Sequence, residues 1–170
     1  LTSLRHHEVP AWRLQPSASA LARDGQVTEM SLRPLQTALA NGLVPLIHGD
    51  VAIDAVRGGT ILSTEAIFDY LTQQLPVDRI ILLGEVEGVL SAEGAVIPVI
   101  HPGNFEHVAA AIGGSRGVDV TGGMYTKVQR MLDLTQQIEG LSVHIIDGRK
   151  PTGLYKLMVH NRHIGTRIHS

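Results

Sequence analysis

The sequence has 170 residues and a mass of 18.3 kDa, enough chain for one compact domain with a sizeable core. Hydrophobic residues make up 44% and charged residues 18%, which argues against a disordered chain, and a net charge of −2 with a pI near 6.5 offers no basic field to nucleic acid. No apolar run reaches the roughly 18 residues of a membrane helix, and the absence of cysteine removes disulfides, thiolate nucleophiles and cysteine-ligated zinc.

A cysteine-free chain fits a cytoplasmic protein. The chain opens at Leu1, and the stretch to Trp12 lacks the basic head, apolar core and small-residue cleavage site of a signal peptide. The N-terminus is therefore expected to be cut.

In chain order, Ser31 is expected to cap a short helix carrying Leu32, Leu35 and Leu39, with Gly42 just past its end. Leu43–Ile47 reads as a buried strand ending in the polar turn His48-Gly49-Asp50. Val51–Ile53 and Thr60–Leu62 flank Arg57-Gly58-Gly59 as a hairpin. Ser63 caps a second helix with Ile67, Phe68, Leu71 and Leu75 on one side, and Pro76 ends it. Arg79–Leu83 reads as a strand buried on both faces, followed by a loop and short strand over Gly84–Leu90. Ser91–Ala95 is a short polar loop and Val96–Ile100 another strand. Asn104 is placed to cap a helix running to Ile112 and closed by Gly113-Gly114. Gly122-Gly123 opens the longest helix, about residues 124–138, with Met124, Val128, Met131, Leu132 and Ile138 in one stripe. Ser142–Ile146, Thr152–Val159 and Ile164–Ile168 follow as strand, helix and strand. This alternation predicts an α/β chain with a mostly parallel sheet and some hairpins, in one domain over residues 1–170.

The common signatures are missing. There is no P-loop, no strand–Gly-x-Gly-x-x-Gly–helix unit and no Gly-x-Ser-x-Gly elbow. Gly113-Gly114-Ser115-Arg116-Gly117 follows a helix and reads as its C-cap and turn. The nine histidines are scattered; His160 and His163 have no further ligands nearby and read as surface residues, so no metal site is expected.

The most informative segment is Gly117-Val118-Asp119-Val120-Thr121-Gly122-Gly123-Met124-Tyr125-Thr126-Lys127. Free backbone N–H groups at a helix mouth attract anions, glycine lets phosphate oxygens reach them, and Lys127 lies one turn in. That pattern suits the terminal phosphates of a nucleotide; a softened helix start with a solvated lysine reads the same residues equally well. A second cluster joins His48-Gly49-Asp50 to Arg57-Gly58-Gly59-Thr60, at strand ends where open α/β sheets place ligands, although a plain hairpin accounts for it too. Glu65 sits in the first turn of the following helix, where a carboxylate is common for dipole reasons alone and is also placed to pair with a catalytic lysine. Gly84-Glu85-Val86-Glu87-Gly88-Val89 ends the most apolar strand in glycine and acids, a plausible nucleotide edge.

These pieces occur in a known order. Pro45–Val51, Gly59–Ser63, Gly84–Val89, Val120–Lys127 and Gly165-Thr166-Arg167-Ile168, with Gln15–Ser19, resemble the amino acid kinase superfamily, and within it the isopentenyl phosphate kinases. The resemblance spans about residues 9–168. It implies a three-layer αβα sandwich with an open, mostly parallel sheet and ATP-dependent phosphorylation of a small acid, with Mg²⁺ on the nucleotide. In that subfamily the acceptor is isopentenyl phosphate and the product isopentenyl diphosphate. Relatives acting on a carboxylate or phosphonate (acetylglutamate, glutamate, fosfomycin) are the alternative, as is a non-catalytic nucleotide-binding module on the same fold.

Carried over by position, Thr121, Gly122, Gly123, Met124 and Lys127 would hold ATP, and Gly84, Glu85, Gly88 and Val89 would edge it. Gly49, Asp50, Gly58, Gly59 and Thr60 would line the acceptor side. Glu65 falls where the family usually has an aspartate that orders phosphate-gripping lysines. The resemblance also implies a homodimer, with no nucleic acid or membrane partner. The family's Lys-x-Gly-Gly-Ser strand and acceptor-phosphate histidine are not in the sequence, so the chain by itself is expected not to turn over. Leu83-Gly84-Glu85 stands where Thr-Asp is frequent, and Ser91–Ala95 is shorter than the family's loop.

Overall fold

A computed structural model of the chain describes residue 4, residues 6–113 and residues 123–170. Contacts divide it into two compact units, Leu1–Leu75 and Pro76–Ser170. The architecture is mixed α/β, as expected.

In the first unit, β1 (Ala11–Arg13) pairs in parallel with β4 (Val44–Leu46). A second sheet has the order β3-β2-β5-β6, with β2 at Leu21–Arg23, β3 at Gln26–Glu29, β5 at Asp50–Asp54 and β6 at Gly58–Leu62. Strands β5 and β6 form the expected hairpin, Asp50 opposite Leu62 and Asp54 opposite Gly58. The turn itself falls on Ala55-Val56-Arg57, two residues earlier than the expected Arg57-Gly58-Gly59, because Gly58 already opens β6 at a φ of +79°.

Two helices complete this unit. Helix α1 (Arg33–Ala40) starts after Leu32 with no side-chain cap, so Ser31 is not its N-cap. Pro34 suits the first turn, where its missing N–H costs nothing, and the Ser31 N–H donates to Ser19 Oγ instead. The far end is as expected. Gly42 takes a φ of +70°, its N–H reaches the Leu39 carbonyl, and the Leu43 N–H reaches that of Ala38, a paired Schellman closure. The buried stripe is Leu35 and Ala38, while Leu39 is exposed. Helix α2 (Thr64–Gln74) is capped by Ser63, whose Oγ accepts the Ala66 N–H at 3.1 Å. Ile67 and Leu71 of α2 pack with Leu62, Ala22, Ala52, Met30 and Leu35 into the core of this unit.

The second unit is a four-stranded sheet of order β7-β9-β10-β8, with β7 at Arg79–Gly84, β8 at Val99–Ile100, β9 at Ser142–Asp147 and β10 at Thr166–His169. β9 runs parallel to β7, and β10 antiparallel to β9 and parallel to β8. Strand β7 was expected to be buried on both faces. It lies at the sheet edge, where only Ile80 is buried and Leu83 is 55% exposed. The strand buried on both faces is β9, all six residues of it. Strand β8 is shorter than the expected Val96–Ile100, since Pro98 brings no N–H to a ladder. Leu90 bridges Val96 across a tight turn closed by Ser91 N–H to the Ala95 carbonyl, with Gly94 at a φ of +79°. The 91–95 loop therefore closes on itself at its short length.

Helix α3 (Phe105–Gly113) follows Asn104, whose side chain turns back to accept the His101 N–H and donate to the Val99 carbonyl. Gly114 lies outside the described residues. Helix α4 (Gly123–Gln137) buries Val128, Met131, Leu132 and Leu134 against Val143, Ile145, Ile80 and Ile168 of the sheet. Met124 and Ile138 pack at the margin of this core. Helix α5 (Pro151–His160) buries Leu157 and packs on β9. No described helix is long and apolar enough to cross a membrane.

Candidate active site

The described residues assigned to the nucleotide all lie in the second unit. Gly84 closes β7 and Gly123 opens α4. Lys127 is exposed one turn into α4, beside exposed Tyr125 and Thr126, with the buried stripe beginning at Val128. Met124 packs at the core margin, and Thr121 and Gly122 lie outside the described residues.

The Gly84–Val89 loop is held from below. Val89 is fully buried in the core; its N–H donates to Thr166 Oγ1 at 2.8 Å and its carbonyl accepts the Ile97 N–H at 2.8 Å. Its side chain thus anchors the loop and faces no open cleft. Gly88 packs so tightly that a Cβ there would stand 2.6 Å from Thr166 Oγ1. Glu85 and Glu87 point outward and are exposed.

Sequence reasoning missed what holds this loop from the side. The Gly148 N–H donates to the Gly84 carbonyl at 2.8 Å, the Arg149 guanidinium donates to the Glu85 carbonyl, and the Lys150 ammonium pairs with the Glu87 carboxylate. Buried Asp147 takes Nε and Nη2 of Arg149 at 3.0 and 3.1 Å, and these side-chain bonds, with the Arg149 backbone N–H, hold its carboxyl below the usual range. An acid-glycine-base turn after a strand was the available signal. A cavity of about 530 Å³ opens beside it, floored by Val96, Gly153, Ile164 and Gly165 and rimmed by Glu87, Asp147, Lys150 and Lys156.

The first unit holds the residues assigned to the acceptor. Gly49 lies against the start of α2: a Cβ there would come 3.1 Å from the Leu62 carbonyl and 3.5 Å from the Thr64 nitrogen. This brings Gly49 and Asp50 to the helix end that carries Glu65. Asp50 is already engaged, one oxygen accepting the Ser17 N–H at 3.0 Å and the other the Val51 N–H at 2.9 Å. The Ser17 backbone bond is the chief reason its carboxyl titrates low. The Gln15–Ser19 motif is thus tied to the Gly-Asp-Val motif through one carboxylate.

Arg13, which no motif marked, places Nη2 2.9 Å from His48 Nε2, while His48 Nδ1 lies 2.7 Å from the Gly49 carbonyl. A guanidinium only donates and a carbonyl only accepts, so Nδ1 carries the imidazole proton. Gly58, Gly59 and Thr60 line an open groove of about 810 Å³ with Ser17, Arg57 and the apolar Val51, Ile53 and Ile61. Ile61 is 80% exposed there.

Asp54, also missed, is 98% shielded and ties the hairpin to β2. Burial alone would raise its pKa, but four backbone donors, from Gly25, Arg57, Val56 and Asp24 at 2.7–3.0 Å, outweigh that and hold it well below the carboxylate range. An aspartate just before a turn was its signal in the sequence.

The sequence profile of the amino acid kinase family matches residues 1–147. The chain belongs to this family. The isopentenyl phosphate kinase of Haloferax volcanii is 42% identical over 135 residues, 79% of this chain and 53% of that protein. That of Methanocaldococcus jannaschii is 30% identical over 159 residues, 94% of this chain and 58% of that protein. A solved structure described as "X-ray structures of isopentenyl phosphate kinase" superposes with a TM-score of 0.77 at 23% identity, covering 98% of this chain and 62% of that one. That likeness establishes the amino acid kinase fold. The chain spans little more than half the length of the relatives it matches.

Proposed function

We propose that the protein containing this chain transfers the γ-phosphoryl group of ATP to isopentenyl phosphate, giving isopentenyl diphosphate, and that both units serve one kinase domain. The observation that carries this reading is the 42% identity to an isopentenyl phosphate kinase over 79% of the chain.

The chemistry asks little of acid–base groups. A phosphate monoester has a second pKa of about 6, so the acceptor is largely dianionic at neutral pH and its oxygen is already a nucleophile. The obstacle is the repulsion between two anionic groups, which positive charge and alignment overcome. In this reading Thr121, Gly122, Gly123, Met124 and Lys127 hold the triphosphate, with Lys127 supplying the charge at the helix mouth. Gly84, Glu85, Gly88 and the backbone of Val89 shape the nucleotide edge. Gly49, Asp50, Gly58, Gly59 and Thr60 form the acceptor side, where the exposed Val51, Ile53 and Ile61 give an apolar wall for a short alkenyl tail. Glu65 orders the lysines that grip the transferring group.

No group of three or more His, Cys, Asp or Glu able to hold a metal occurs among the described residues. Mg²⁺ bridging the ATP phosphates is part of the proposal. A cytoplasmic homodimer is part of the proposal.

The test is an acceptor panel. The full-length protein with ATP and Mg²⁺ is given isopentenyl phosphate, N-acetylglutamate or fosfomycin, and ADP formation is followed. The reading expects the highest kcat/KM with isopentenyl phosphate; turnover of another acceptor alone contradicts it.

A further inference from the structure

The turn from Asp147 to Lys150 touches the Gly84–Glu87 loop at three separate points. The backbone N–H of Gly148 takes the Gly84 carbonyl, the Arg149 guanidinium the Glu85 carbonyl, and the Lys150 ammonium the Glu87 carboxylate. The guanidinium is itself immobilised. Its Nε and Nη2 face the two oxygens of Asp147, and the Asp147 side chain is 5% exposed, so the fork has one orientation. Close approach of the two loops requires Gly148, where a Cβ would meet that of Leu83 at 3.0 Å and the Gly84 carbonyl at 3.5 Å. Without this turn the Gly84–Glu87 segment would be held only at its ends, by β7 on one side and on the other by Gly88 and buried Val89, which is bonded to Thr166 and Ile97.

We infer that Arg149, seconded by Lys150, is a positioning residue that fixes the Gly84–Glu87 backbone where the donor nucleotide docks. The inference rests on the reading of that loop as the nucleotide edge. Arg149 acts through the Glu85 carbonyl and touches no reacting atom. A contact made to the loop backbone contributes equally to the ground and transition states, so its loss should weaken nucleotide binding without slowing the bound complex.

In the full-length protein, Arg149→Ala should raise KM and Kd for ATP about tenfold, with kcat and the acceptor KM within about twofold of the unmodified protein. Arg149→Lys should recover little of this, because an ammonium cannot fill both positions of the fork. Removing the fork strips buried Asp147 of its partner, so a second variant guards against misfolding. Lys150→Glu should raise ATP KM a few-fold, and adding Glu87→Lys should bring it back. An unchanged ATP KM in folded Arg149→Ala, or a fall in kcat with KM intact, overturns the positioning role. Failure of Glu87→Lys to rescue Lys150→Glu overturns the part given to Lys150. If the unmodified protein neither binds nor consumes ATP, the functional reading falls and takes this inference with it; normal ATP turnover with indifferent variants removes the inference alone.

Discussion

The Oγ1 of Thr166 lies 2.8 Å from the Val89 nitrogen and accepts its hydrogen across 77 residues of sequence. The same hydroxyl donates to the Ile97 carbonyl at 2.7 Å, and Thr166 is fully buried. The neighbouring glycines make this possible. Gly165 holds a φ of +70° and a Cβ there would fall 2.2 Å from the Ile145 carbonyl, while Gly88 abuts Thr166 itself. The closing Gly-Thr-x-Ile motif and the Gly84–Val89 motif are thus two halves of one joint.

Thr166→Val keeps the shape and removes both bonds, leaving a donor and an acceptor buried without partners. Each such orphan costs about 1–3 kcal/mol, so the melting temperature should fall clearly, as followed by circular dichroism. Thr166→Ser retains the hydroxyl and should recover most of the loss. Equal stability of the valine variant and the unmodified protein would show that the joint is not held by this hydroxyl.

Lys127→Ala in the full-length protein should lower kcat by about 10²–10³, the effect of losing one preorganised donor worth roughly 3–4 kcal/mol to the transition state. The acceptor KM should change little. Steady-state kinetics with ATP and isopentenyl phosphate check this, and an unchanged kcat refutes the role.

Asp54 organises the β5–β6 turn through four backbone donors, and its folded pKa lies below the unfolded value. Its ionised form therefore contributes stability above the unfolded pKa of about 4, and this contribution is lost as pH falls toward the folded pKa. Asp54→Asn should lower the urea midpoint at neutral pH and show a weaker further loss on acidification. A midpoint equal to that of the unmodified protein at pH 7 would contradict the assignment.

His144 runs on a different range. Desolvation first, then the charges of Arg79, Arg167 and His163, push its pKa from 6.5 to about 4, and its buried Nδ1 has no partner among the described residues. The folded chain holds the imidazole neutral while the unfolded chain takes up a proton. Stability is complete above pH 6.5 and declines as pH drops toward 4. His144→Gln should flatten urea midpoints over that interval relative to the unmodified protein; an identical slope would contradict this.

Much of the architecture was legible because it is local. The Gly42 closure, the Ser63 cap and the β5–β6 hairpin each follow from a few adjacent residues, and each formed. One local reading failed, since α1 starts after Leu32 with no side-chain cap and Ser31 stands outside it; the strand misreadings are matters of position within a sheet. Arg79–Leu83 is apolar enough for a central strand, yet β7 sits at an edge, while β9 carries Ser142 and His144 and is wholly buried. Strand order comes from long-range pairing, which periodicity does not record. The site shows the same division. Motif glycines, Lys127 and the Gly-Thr-x-Ile motif were visible in the sequence, whereas Asp54 and Arg149, which no motif marked, act on backbone groups 30 and 64 residues away.

The proposed reaction moves a phosphoryl group from ATP to a phosphate oxygen. It is tested most directly by ³¹P NMR of the full-length protein incubated with ATP, Mg²⁺ and isopentenyl phosphate. The monophosphate resonance should disappear as the paired doublets of an organic diphosphate grow in step with ADP. An isopentenyl phosphate resonance that persists unchanged while ATP is hydrolysed to inorganic phosphate, or while no ATP is consumed, would contradict it.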